Sequence, residues 1–182
     1  MIETILEILK YTVPALIVLI ATSLIVKRFL LTDIKKKQLL LQKDSQEITI
    51  RLRLQACERL VLFVERINPR QLVPRIYQSG MNVSDLQGAL VFNIKAEFEH
   101  NLPQQIYVSK RTWDTVKGVK EQMIHMIGHL AQTLNPEAPA KELHVKMIDF
   151  LLSTDGQLPA DMAIDIINDE ARELLSFGGN QS

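Results

Sequence analysis

Between Lys10 and Lys27 lies YTVPALIVLIATSLIV, Tyr11 to Val26, sixteen residues without a charge and mostly Leu, Ile, Val and Ala. Such a run belongs in lipid or at the centre of a core. At ~1.5 Å per residue the helix reaches about 24 Å, short of a ~30 Å hydrocarbon core. Ile5, Ile8 and Leu9 before it, and Phe29, Leu30 and Leu31 after it, extend the apolar sheath, while Lys10 and Lys27 reach back to the headgroups. A buried core helix would not be bracketed by Lys10 on one side and Lys27, Arg28, Lys35, Lys36 and Lys37 on the other. A cleaved leader fits no better, because Glu3 and Glu7 precede Lys10 and the run closes on Lys27 and Arg28 instead of small residues. The sequence therefore predicts a single transmembrane helix over about residues 11–28, within an anchor of residues 1–31. The bases crowd the C-terminal side of the span, which predicts a short N-terminus outside and the remainder in the cytoplasm. Pro14 predicts a kink near the outer face.

The whole chain has 182 residues and 47% apolar content, which leaves enough beyond the anchor for one further domain. The 21 basic and 21 acidic side chains balance, which argues against a protein whose main task is holding nucleic acid, since that task leaves a basic surplus. The lone Cys57 excludes an internal disulfide and, in an apolar helical pattern, reads as a reduced, unreactive buried thiol. Charge is nevertheless segregated. Arg51, Arg53, Arg59, Arg66, Arg70 and Arg75 meet only Glu58 and Glu65, whereas Asp149, Asp155, Asp161, Asp165, Asp169, Glu170 and Glu173 meet only Arg172. The first reading is two solvated helix faces; the alternative is docking of the acidic end on the basic one, within a chain or head to tail.

Periodicity from residue 32 onward is helical apart from short connectors. Residues 32–47 form a basic juxtamembrane helical linker with Ile34, Leu41 and Ile48 at heptad spacing, and Lys35 to Lys37 suit anionic headgroups. Asp44 or Ser45 resembles a fresh helix start. The next helix carries two adjacent apolar stripes, Ile50, Leu54, Cys57, Val61, Val64 and Leu52, Ala56, Leu60, Phe63, Ile67, so it should lie centrally. Asn68 caps a short helix from Pro69 that closes at Gly80, and Ser84 with Gln87 opens another, with Leu86, Leu90, Ile94 and Phe98 buried. Pro103 ends it. Residues 104–109, QQIYVS, have no partner strand and read as an extended connector. Ser109 caps a long helix through Leu134; Pro139 and Pro159 begin two more, the last with Met162, Ile166, Ile167, Leu174 and Leu175 buried and Gly178-Gly179 as its stop. The expected fold is all-α: a single transmembrane helix and then a bundle of five or six helices over residues 48–178, with residues 179–182 frayed.

Candidate chemistry is sparse. Glu97 and His100 stand in Glu-x-x-His spacing, which aims a carboxylate and an imidazole the same way on a helix, and Glu121, His125 and His129 add a second set. Di-metal bundles need further carboxylates and a second Glu-x-x-His, whereas the second set here is Glu-x-x-x-His, so a metal-binding bundle or enzyme built on these five residues is the alternative and not the main expectation. No Gly-x-Ser-x-Gly elbow, Walker loop or Gly-x-Gly-x-x-Gly occurs. No catalytic, cofactor-binding or metal residue is assigned, and no motif names a small-molecule substrate. Trp113, Tyr107 and Tyr77 read as core or helix-junction residues, or as anchors of a partner surface.

RLQACERLVLFVERINP (residues 53–69) and AEFEHNLPQQIYVS (residues 96–109) resemble segments of an uncharacterised family of Bacteroidota proteins, each a short membrane anchor followed by a helical domain. The resemblance runs from the anchor through the long helix and weakens past Asn135. It implies a bacterial inner-membrane setting and no particular activity. The expectation is thus a single-pass, non-enzymatic module whose partners are the lipid bilayer and another protein or a second copy of itself, with no nucleic acid.

Overall fold

The computed structural model describes residues 2–153 and 158–179, without the side chains of residues 4–11, 13–15 and 177–179. Six helices follow one another: α1 (Ile2–Ile67), α2 (Pro69–Ile76), α3 (Val83–Asn101), α4 (Lys110–Gln132), α5 (Ala140–Ser153) and α6 (Pro159–Gly179), with a 3-10 turn at Leu102–Ile106. Among the described residues there is no strand, and the fold class is all-α. The expected restart at Asp44 or Ser45 is absent. No glycine or proline interrupts residues 15–68, so nothing in the backbone forces a break.

The chain divides into two compact units, Met1–Ile48 and Thr49–Ser182. In the first, the large apolar side chains from Leu16 to Leu31 are exposed, between 48% (Val26) and 70% (Phe29). The hydroxyls of Thr22 and Thr32 donate to the carbonyls of Val18 and Arg28 at 2.8 and 2.9 Å, so they find acceptors inside the helix. No helix among the described residues is long and apolar enough to cross a membrane. The span read from the sequence begins at Tyr11, and the side chains of residues 11 and 13–15, with Pro14 and its expected kink, lie outside those described.

The second unit has its own core. All of its core cluster, from Cys57 to Leu174, lies within Thr49–Ser182. The last turns of α1 bury Ala56, Cys57, Leu60, Phe63, Val64 and Ile67 and leave Arg51, Gln55, Glu58, Arg59 and Arg66 outside, as the double stripe predicts; Leu52, at 41% exposure, departs from it. Helix α3 packs on α2, α4 and α5, and α4 also on α5 and α6. Phe98 ties the layers together: its ring lies 5.8 Å from Phe63 of α1 and 5.4 Å from Trp113 of α4, nearly parallel to the latter.

Asn68 accepts the Arg70 N–H at 3.1 Å as cap of α2, and Ser109 accepts the Thr112 N–H at 3.2 Å as cap of α4, both as expected. Helix α2 stops at Ile76, four residues before Gly80, and Gly80 turns the chain with φ +94. The cap of α3 is Asn82 with Asp85, not Ser84 with Gln87: Asn82 Oδ1 accepts the Asp85 N–H at 2.7 Å and Asp85 Oδ2 accepts the Asn82 N–H at 3.3 Å. A long-range contact decides that register. Val83 N–H donates to Ala138 O at 2.9 Å and Ala140 N–H to Met81 O at 3.1 Å, which holds Asn82 extended against the α4–α5 loop. Of the connector expected over residues 104–109, residues 104–106 wind into the 3-10 turn. Residues 180–182 of the predicted frayed tail, and Asp155 of the acidic run, lie outside the described residues.

The largest departure is α6. Its buried face is Ala160, Ala163, Ile167, Glu170 and Leu174, while Met162 and Leu175 are 51% and 59% exposed. Two alanines let α6 approach closely, and the position between Ile167 and Leu174 goes to a carboxylate.

Candidate functional site

Glu97 is half-buried on α3, and its Oε1 accepts Arg66 Nη1 of α1 at 2.8 Å; His100 is exposed at the end of α3. Where α3 crosses α4, the place a bridging metal would need, stand Phe98, Trp113 and Lys120, whose Nζ sits 4.3 Å above the Phe98 ring. Glu121 pairs with Lys120 at 2.7 Å, and that hydrogen bond and charge hold its carboxyl below the usual range. Among the described residues no three His, Cys, Asp or Glu side chains form a group that could hold a metal ion.

Glu121, His125 and His129 instead follow one another at one-turn intervals along the edge of a cavity of 480 Å³. Met123, Met126 and Leu130 of α4, Phe150 and Leu151 of α5, and Leu158 and Pro159 at the start of α6 supply its walls. The two imidazole rings lie within 5° of parallel, centroids 6.5 Å apart. Phe150 is 43% exposed and lines this cavity.

A second polar assembly joins α1, α4 and α6. Glu170 Oε1 accepts Arg53 Nη2 at 2.9 Å and the Ser109 N–H at 2.8 Å, and its Oε2 accepts the Ser109 hydroxyl at 2.7 Å. Arg53 Nε also donates to Tyr107 O at 3.0 Å. Burial pushes the Glu170 carboxyl up, but hydrogen bonds from Thr112, Ser109 and Arg53 outweigh it, and the group stays below the ordinary glutamate value. Beside it, Cys57 is pushed up to about 11, chiefly by burial and then by the Glu170 charge, with Arg53 opposing. The carboxylate sits over the first turn of α4, where exposed amides favour an anion. This is a structural joint: its acceptors are met from within the chain.

The segregated charges thus meet in part. Arg53 of the basic run pairs with Glu170 of the acidic end, Arg66 turns to Glu97, and Arg75 donates to the Arg66 carbonyl at 3.2 Å. Sequence reasoning missed Glu170 as a buried group. The available signal was the spacing of Ala160, Ala163, Ile167 and Leu174, which leaves position 170 on the same face. Trp113 belongs to the core, whereas Tyr77 is 41% exposed.

The model of a family of unknown function, DUF7935, matches residues 3–174, and the chain belongs to that family. No curated protein and no solved structure matches it.

Proposed function

We propose that this member of the family is a membrane-tethered, non-catalytic interaction module: residues 11–28 sit in the bilayer, and the helical unit Thr49–Ser182 meets another protein, or a second copy of itself, at the membrane face. One observation carries the reading. From Leu16 to Leu31 the helix exposes Leu, Ile, Val and Phe side chains on every side, each of which gains ~1.5–3 kcal/mol on full burial in an apolar medium, and lipid covers all sides at once. Lys27, Arg28 and Lys35 to Lys37 follow the run and favour a cytoplasmic second unit in a bacterial inner membrane, with the N-terminus outside. A partner role is favoured because the core of the second unit closes without it, the five sequence-selected residues form no assembled chemistry, and exposed Phe92 (71%) and Ile106 (72%) leave apolar surface to meet a partner.

Ultracentrifugation of lysate without detergent, followed by an alkaline wash of the pellet, tests the anchor, and a fluorescent reporter fused after Ser182 tests its direction. A washed pellet holding the chain and a bright cytoplasmic reporter are expected. Chain in the supernatant, or a reporter active only in the periplasm, overturns the reading. Light scattering and pull-down on the detergent-solubilised chain test the interaction; a strictly monomeric, partnerless chain counts against it.

A further inference from the structure

The cavity beside His125 and His129 has no part in the proposed tethering. At 480 Å³ it falls within the ~300–1,000 Å³ of small-molecule sites. Its walls are methionine, leucine, phenylalanine and proline, so the body that fits it is apolar. Met123 and Met126, unbranched and polarisable, adjust to a flexible occupant. Only its α4 edge is polar. There Glu121 is engaged by Lys120 at 2.7 Å, which leaves Gln122 and the two parallel imidazoles, the latter neighbouring hydrogen-bonding groups one turn apart. A docked partner helix would call for ~800 Å² on each side, more than a recess of this size offers; one molecule suits it better.

We propose that this cavity binds a single-chain amphiphile, a medium-chain carboxylate, with its alkyl chain among Met123, Met126, Leu130 and Phe150 and its head at His125 and His129. The site lies wholly within the second unit and does not depend on the anchor.

The test is methyl NMR of the full chain labelled at the methionine methyls, in lipid nanodiscs, or in buffer should the chain prove soluble, titrated with dodecanoate. The Met123 and Met126 signals are expected to shift saturably while Met81, in the α2–α3 loop, stays still. His125→Ala with His129→Ala, two exposed positions, should weaken dodecanoate at least tenfold and leave 1-dodecanol unchanged. Met126→Trp should fill the cavity and abolish both. No saturable shift at Met123 and Met126, the result expected if a partner protein's side chains occupy the cavity, overturns the proposal. Undiminished dodecanoate affinity in the double variant, or in Met126→Trp, does the same.

Discussion

Arg53 Nη2 stands 2.9 Å from Glu170 Oε1, and the pair joins the first helix to the last across 117 residues of chain. The glutamate is the buried partner, with 8% of its side chain exposed against 36% for the arginine. Its other bonds go to Ser109 and Thr112, so one carboxylate also fixes the start of α4.

Glu170→Ala should therefore destabilise the second unit by about 2–3 kcal/mol, because it strands the Ser109 N–H and leaves Arg53 with only the Tyr107 carbonyl. Thermal unfolding should fall by roughly 5–10 °C. Glu170→Gln, which keeps the shape and can still bond Ser109, should lose about half as much. Circular dichroism on heating reads both.

Acid should act through the same residue. The folded protein holds the Glu170 carboxyl below its unfolded value, so its contribution is complete above the unfolded value and is lost as pH falls through the lower, folded one. Between pH 5 and pH 3, urea midpoints should fall further for the natural chain than for Glu170→Gln. Equal slopes would remove Glu170 from the acid response.

Cys57 should resist thiol reagents while the chain is folded. With its pKa near 11 the thiolate fraction at pH 8 is about one in a thousand, and the residue is 3% exposed. Labelling by a maleimide, followed by mass spectrometry, should be at least about a hundredfold slower than in urea.

Gly80→Ala should cost about 1 kcal/mol without any clash. A Cβ there meets nothing within 4 Å, and the whole penalty is the φ of +94. Because Asn82 is held by its own bonds, the unfolded-state midpoint should shift while the α3 cap, read by amide hydrogen exchange at Asp85, stays protected.

Periodicity and punctuation carried the reading where local forces decide. The double stripe on α1, the caps at Asn68 and Ser109, and the Leu86, Leu90, Ile94 and Phe98 face need only neighbours three and four residues away. The cap of α3 lies two residues before the expected one because hydrogen bonds of Val83 and Met81 with Ala138 and Ala140 choose it, and those partners are distant in sequence. The candidate chemistry fared similarly. Glu97, His100, Glu121, His125 and His129 share helical spacing, but spacing says nothing of the facing helix, which puts Arg66 against Glu97 and an apolar hollow against the histidines.

The order of hydrophobic and polar residues was enough by itself to make this chain helical, to set an uncharged apolar run apart from a bundle-forming body, and to locate most of the core, since each follows from a period that one helix imposes on its own side chains. Which acid goes inside, and whether three aligned polar side chains face a metal or a cavity, was settled only when helices far apart in sequence came together. Burial of a charge depends on the partner that meets it, and for Glu170 that partner lies 117 residues away.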